Sequence, residues 1–226
     1  ISRCIYICVV SKPMQKRVLE LGVPESKIRV MPMGVDLTGL FRPVPGVERR
    51  SNRIIFVGRL VEKKGVSVLL SAMPEVVRQF PETELIVVGD GPLRHALEQQ
   101  ARQLDMGGHV HFYGSVTHAQ LPGLYSSAAI AVVPSIVAAS GDQEGLGLVI
   151  IEALGCGCAV VASSLAAISD VIDEQTGCLV RPGDVADMVV NLCTLLNDTA
   201  RCTQIAERGR ASVMGRFDRS ITDDKY

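Results

Sequence analysis

Apolar and polar positions along the chain follow two regimes. From Arg53 onward, short and nearly continuous apolar runs alternate with longer stretches in which apolar residues recur every three or four positions. The runs are residues 54–57, 85–88, 110–113, 130–133, 159–162 and 178–180. They have strand length and lack strict alternation, the pattern of strands buried on both faces. Between the first two, Val66, Leu69, Leu70, Met73, Val76, Val77 and Phe80 form one helical stripe. Leu93, Ala96, Leu97, Ala101 and Leu104 form another, with Pro92 suited to its first position. Residues 121–128 and 167–172 predict short helices. Asp184 caps a helix running to Leu196, with Met188, Val189, Leu192 and Leu195 on one face. Residues 200–214 predict a last helix, and 217–226 a polar tail.

Strand–helix alternation repeated six times predicts an α/β fold: a doubly wound, Rossmann-like parallel sheet with helices on both faces. In the commonest strand order, 3-2-1-4-5-6, a crevice opens at the carboxyl ends of strands one and four. The loops that follow those strands are 58–65 and 134–147. The first 52 residues read differently. Residues 5–10 predict a buried strand, 12–21 a helix with Pro13 near its start and Gly22 at its end, and 28–31 a short strand. Residues 38–52 carry Pro43, Pro45 and Gly46 without periodicity and read as a linker. The expected division is therefore a linker-like segment over 1–52, a main domain over 53–210 and a tail from 211.

At 226 residues the chain suits one large domain or somewhat more, and 47% apolar against 21% charged residues allows a sizeable core. A net charge of −1, 4% aromatics and no tryptophan argue against a nucleic-acid platform or a base-stacking surface. No run reaches membrane-spanning length and no signal peptide is visible, so a cytoplasmic location is expected. The abrupt Ile1-Ser2-Arg3 start suggests a piece of something longer. The seven cysteines are odd in number and mostly lie in apolar runs, as buried thiols in a reducing compartment do. Cys156-Gly157-Cys158 has no second pair at zinc spacing.

The stretch from Glu144 to Glu152 carries the most specific chemistry. Two glycines follow the first glutamate, and an apolar run leads to the second. Glycine-rich entry into a helix offers free N–H donors and a dipole end to an anion. If both glutamates are helical, they lie roughly 80° apart around the axis and ~12 Å apart along it. Arg59 and Lys64 stand on the other crevice loop, where two cations before a helix describe a diphosphate site. Gly58 and Gly65 are too far apart for a dinucleotide fingerprint, and Gly89-Asp90-Gly91 lacks its third glycine. His109, His111 and His118 lack a third ligand placement for a metal, and read as satisfied or solvated side chains. Ser135 and Ser140 have no nucleophile elbow around them.

Gly58-Arg59-Leu60 with Lys64-Gly65, Val88-Gly89-Asp90-Gly91-Pro92, Pro134-Ser135, Glu144 to Glu152 and Gly177 to Gly183 occur in one order. Together they resemble the donor half of retaining GT-B glycosyltransferases of family 4, with the E-x7-E signature at Glu144 and Glu152. Val9-Val10-Ser11 and Met31 to Asp36 resemble the segment leading in from the acceptor half, with Met33 where asparagine is usual. The resemblance implies a hexosyltransferase binding a UDP-, GDP- or ADP-linked sugar, with no metal or other cofactor. It implies Arg59 and Lys64 on the diphosphate, Glu144 on the sugar, and Glu152 on the ribose. It places the backbone of Gly145, Leu146, Gly147 and Leu148 along the sugar and phosphate, and the backbone near Val116 at the base. Gly58, Gly89 and Ser135 complete the donor-binding set, and Glu144, Arg59 and Lys64 are the catalytic set. Retention by front-face attack is implied, the departing phosphate taking the acceptor proton. A partner half on the N-terminal side would bring the acceptor and any contact with a membrane surface, so this piece alone would transfer no sugar. A sugar-nucleotide epimerase, a glycosyl phosphorylase with a lysine-bound pyridoxal group, or a silent nucleotide-binding module of the same architecture remain alternatives. The connection 136–143 is longer than usual and resembles subgroups acting on exopolysaccharide.

Overall fold

The computed structural model describes residues 5–223. Its sheet is formed by β3 (Arg50–Val57), β4 (Glu84–Val88), β5 (Val110–Gly114), β6 (Ala128–Val133), β7 (Ala159–Ser163) and β8 (Cys178–Val180). All neighbours are parallel and the order is β5-β4-β3-β6-β7-β8, so the first and fourth strands of this unit lie side by side as expected. A smaller parallel pair, β1 (Ile7–Val9) with β2 (Ile28–Val30), precedes it and packs under α1 (Lys12–Glu20).

Helices cover both faces. One layer holds α2 (Val66–Gln79), α3 (Arg94–Gln103) and α7 (Val185–Asn197), whose apolar stripes meet Ile54, Leu85, Val87 and Ile130. The other holds α4 (Leu121–Ser127), α5 (Leu148–Gly155), the short α6 (Ala166–Ser169) and the C-terminal turns of α8 (Thr199–Phe217), against Ile55, Ile86 and Val160. Alternate residues of each strand serve opposite layers, which is why the runs are continuously apolar. α5 is buried on most sides: Ile150, Ile151, Ala153 and Leu154 are all inaccessible to solvent.

Several expectations change. The 38–52 segment is no simple linker. Phe41 and the preceding Leu37 are fully buried in the second layer, and β3 begins at Arg50, so four of its residues precede the apolar run. The 5–10 run is not a buried strand throughout, for Ile5, Tyr6 and Cys8 are exposed and only Ile7–Val9 pair. Pro92 lies in the turn before α3, which starts at Arg94. The stretch from 217 is not a polar tail. Phe217 closes α8, Asp218 and Thr222 are buried, and a further helix α9 (Arg219–Asp223) follows. Asp218 accepts from the Leu37 N–H, and the Val35 N–H bonds to the Phe217 carbonyl, so the segment before β3 is tied to the end of α8. Residues 224–226, like Cys4, lie outside the described residues. The other six cysteines are free thiols; Cys156, Cys158 and Cys202 are buried, and Cys178 and Cys193 half-buried.

Crevice geometry depends on backbone contact. Gly65 has φ +64°, and a Cβ built there would lie 1.9 Å from the Pro134 carbonyl oxygen at the end of β6. Gly89 likewise leaves no room for a Cβ beside the Gly58 carbonyl oxygen, 2.0 Å away. Gly65→Ala should destabilise the chain by about 1–3 kcal/mol through strain and displacement of Pro134. Urea titration measures this, and unchanged stability would show that the loop and the strand end are not in contact.

Candidate functional site

The loop after β3 does not run free. Leu60 N–H bonds to the Asp90 carbonyl at 2.9 Å and Gly58 N–H to Val88 at 3.0 Å, stacking it on the loop after β4. Glu62–Lys64 then form a single 3₁₀ turn that the sequence reading left as loop. That turn leads through Gly65, the N-cap of α2, and aims two lysines at the loop behind β6. Lys63 Nζ meets Asp142 Oδ2 at 3.0 Å, and Lys64 Nζ meets Glu144 Oε2 at 2.5 Å. Ala139 N–H donates to Glu62 Oε1 at 2.9 Å, and Ile136 N–H to the Lys63 carbonyl at 2.9 Å. The crevice loops are thus cross-linked at four points.

The Lys64–Glu144 pair is shielded, with side chains 15% and 12% exposed. Breaking such a pair on one side strands a charge in low dielectric and costs about 3–5 kcal/mol. The Lys64 side chain folds back over Gly58, its Cε standing 3.7 Å from where a Cβ would sit. Arg59 is exposed, and its guanidinium has no partner among the described residues. One cation is therefore held and the other is available.

Glu144 is not helical. α5 starts at Leu148, with Gly147 as its N-cap at φ +69°, a conformation a side chain would strain. The expectation of two glutamates on one helix is corrected: Glu144 lies in the lead-in loop and only Glu152 is on α5. The N–H groups of Leu146 and Gly147 have no hydrogen-bond partner among the described residues. The first N–H groups of a helix are unpaired by geometry as well. The entrance of α5 thus carries backbone donors unpaired among the described residues, next in sequence to the Glu144 that holds Lys64. The Leu146 side chain points elsewhere, into a small cavity with Val10, Val30 and Phe217.

Glu152 is buried at 8% exposure. Tyr125 Oη donates to its Oε2 at 3.3 Å, and His118 Nε2 stands 3.5 Å from its Oε1. Phe41 supports this cluster edge-on, 4.8 Å from the His118 ring and 6.4 Å from that of Tyr125. Burial pushes the Glu152 carboxyl above the usual carboxylate range, against the opposing pull of His118, Tyr125 and Lys64. Burial, with Glu152 beside it, also pushes the Tyr125 phenol well up. Tyr125, His118 and Phe41 escaped the sequence reading as site residues, since only tertiary packing brings elements 41, 118, 125 and 152 together. Glu62, Lys63 and Asp142 escaped for the same reason.

Of the remaining expected residues, Gly58 and Gly89 stand on the stacked loops, and Val116 is half-buried at the start of the turn before α4. Ser135 follows β6 and is fully buried, its hydroxyl without a hydrogen-bond partner among the described residues. His109 is satisfied by the Thr83 carbonyl oxygen, 3.0 Å from its Nδ1, and His111 is exposed. Among the described residues no cluster of histidine, cysteine or carboxylate side chains could hold a metal ion. A larger cavity, about 410 Å³, lies at the amino ends of the central strands, beside Pro43, Ala129, Leu195 and Cys202. Its guanidinium groups are committed to structure: Arg49 donates to the Cys156 carbonyl at 2.7 Å and Arg210 to Gly155 at 3.0 Å. It is the less promising site, being away from the switch point and lacking free polar groups of that kind.

These features define a crevice at the switch point of a doubly wound sheet, with two paired lysines and one exposed guanidinium on its loops. Over residues 51–198 the chain matches the family described as Glycosyl transferases group 1, and it belongs to that family. It is similar to the GDP-mannose-dependent alpha-(1-6)-phosphatidylinositol monomannoside mannosyltransferase of Mycolicibacterium smegmatis, at 32% identity over 215 residues, covering 90% of this chain and 56% of that protein. Among solved structures it resembles sucrose-phosphate synthase from Thermosynechococcus elongatus, with TM-score 0.81 and 30% identity over 96% of this chain and 56% of that one. It also resembles the C-terminal domain of a glycosyl transferase group 1 family protein from Francisella tularensis, with TM-score 0.73 and 25% identity. That match covers 82% of this chain and 100% of the domain. The architecture is accordingly that of a GT-B half-molecule, and the chain spans about half the length of the curated relatives it matches.

Glu152→Gln keeps the shape and removes the buried charge. A raised carboxyl in the folded state favours its protonated form, so folding stability from this group is lost as pH climbs through the unfolded carboxylate range. The variant should therefore gain melting temperature relative to wild type at pH 8 and gain less at pH 4. An equal change at both values would show that burial does not perturb Glu152.

Proposed function

We propose that this chain is the donor-binding half of a retaining, family 4 GT-B glycosyltransferase, moving a hexosyl group from a nucleoside-diphosphate sugar to an acceptor. The observation that carries the reading is the clasp of the loop after β3 on the loop behind β6: Lys64 is seated on Glu144, Arg59 stands exposed on the same loop, and α5 opens with the N–H groups of Leu146 and Gly147 unpaired among the described residues. These positive features belong to the two crevice loops, with Glu144 and Glu152 on the α5 side. Such an arrangement suits a diphosphate between two hydroxyl-bearing sugars. Membership of a family whose relatives include a GDP-mannose-dependent enzyme supports the same reading.

In this reading Arg59 and Lys64 neutralise the diphosphate, each charge-assisted contact contributing roughly 1.5–3 kcal/mol against about 0.3–1 kcal/mol from the helix end. The cations dominate affinity. Glu144 orients the donor sugar, Glu152 takes the ribose hydroxyls, and the base lies along the backbone near Val116. The bond from the anomeric carbon to the phosphate oxygen breaks, leaving its electron pair on the diphosphate. The acceptor oxygen bonds to the same face of that carbon, and its proton passes to the departing phosphate oxygen. Charge stabilisation by fixed cations and N–H donors supports this without a metal. The acceptor-binding half is supplied from the N-terminal side, so the 226-residue chain transfers no sugar by itself. We place it in the cytoplasm, since its free thiols are the form a reducing compartment keeps. Among the described residues no helix is long and apolar enough to cross a membrane, and any membrane contact is peripheral.

A thermal-shift panel of UDP, GDP and ADP tests the reading: one should raise the melting temperature clearly above the others. Lys64→Ala should weaken that nucleotide by about 1.5–3 kcal/mol, some 10- to 150-fold. No shift with any nucleotide, or an unchanged affinity in the variant, would overturn it.

A further inference from the structure

The two carboxylate oxygens of Glu152 have different neighbours. Oε2 accepts from the hydroxyl of the buried Tyr125 at 3.3 Å. Oε1 meets His118 Nε2 at 3.5 Å and has no other hydrogen-bond or ion-pair partner among the described residues. The side chains differ in freedom: that of Glu152 is 10% exposed and that of His118 64%. One oxygen is committed to the protein interior, and the other lies under an imidazole that is free to leave.

The backbone beneath that imidazole is fixed. His118 begins the 3₁₀ turn His118–Gln120, and the Gln120 side-chain oxygen accepts from the Thr117 N–H and from its hydroxyl, each at 2.9 Å. The ring rests edge-on against the buried Phe41. A change of side-chain rotamer lifts it off Glu152 without moving the turn, so the backbone at Val116, two residues earlier, keeps its place. An ion pair with one exposed partner holds weakly, and a ligand can displace it.

We propose that His118 is a gate on the ribose seat: its charged form occupies Glu152 Oε1, and ribose hydroxyls bind there once it has swung away. The inference rests on the donor-binding reading, which puts the ribose at Glu152. Histidine changes charge between about pH 5 and 8, so acid closes the gate and alkali opens it. Three further titratable groups act on Glu152: Lys64 from the turn after β3, Tyr125 from α4 and Cys156 just past the end of α5. Lys64 is held on Glu144. Burial pushes the Tyr125 phenol well up and the Cys156 thiol to about 12, so neither changes charge near neutrality. Glu152 is itself raised by burial, and its protonation would weaken ribose binding with the same sign. Variants of His118 separate the two causes.

Titration calorimetry on the 226-residue chain at pH 6 and pH 8 tests the gate, using UDP, GDP and ADP, each beside its 2′,3′-dideoxy analogue. The members of a pair differ only in the ribose hydroxyls, so phosphate ionisation cancels in the ratio of their dissociation constants. For the nucleotide that binds, the ratio of dideoxy to ribose form should be about five-fold larger at pH 8 than at pH 6. His118→Ala should raise the ratio at pH 6 to its pH 8 value, a gain from deleting a side chain of the crevice. His118→Gln, which keeps a neutral polar group there, should lose the pH dependence as well. Thermal melts check both variants for folding. A wild-type ratio independent of pH, a pH dependence that survives in either folded variant, or a ratio lowered at pH 6 by His118→Ala overturns the gate and leaves the donor reading standing. Survival would assign the effect to Glu152 protonation, and lowering would make His118 a ribose contact. Binding of none of the nucleotides overturns both.

Discussion

The crevice exists because two backbones touch. Gly65, in a left-handed conformation, lets the turn after β3 sit against the Pro134 carbonyl at the end of β6. No residue with a side chain fits there without moving one loop away from the other. From that contact follow the 3₁₀ turn at Glu62–Lys64, the aim of both lysines across the gap and the seat of Glu144 on Lys64. The sheet supplies the neighbouring strands, but the glycine decides how close their loops come.

The shielded ion pair then fixes a cation where a disordered lysine would have to be immobilised. Burying both charges is costly unless each finds its partner, and the cross-links on either side keep that partner in place. Glu152 shows the other use of burial. Its carboxylate is held by Tyr125 and faced by His118, so one acidic group is rigid while the imidazole beside it stays exposed. The crevice thus holds one paired cation on the loop after β3 and one buried acidic group on α5.

Much of this was legible in the chain. Strand runs, helical stripes and the 3-2-1-4-5-6 order follow from periodicity and the handedness of crossovers, and β3 and β6 are adjacent as that order demands. The pairing of the 58–65 and 134–147 loops followed from topology alone. What failed has local causes. The proline-rich 38–52 stretch hid the buried Phe41, because isolated apolar residues between prolines carry no period. The start of α5 was misplaced because Glu144-Gly145 reads as a helix entry while Gly147 is the residue whose backbone makes the turn. The polar composition after Phe217 concealed α9, which is held by Asp218 capping contacts rather than by an apolar stripe. The clasp of Glu62 and Lys63 on the 136–143 loop has no signature in either segment alone.

The central claim is that a pyrophosphate group is gripped between the turn after β3 and the entrance of α5. Titration of the ¹⁵N-labelled chain with inorganic pyrophosphate, followed by amide chemical shifts, tests it most directly. The account predicts saturable shifts concentrated at residues 58–65 and 145–148. Shifts confined to the amino ends of the central strands, around Arg49 and Arg210, would contradict it.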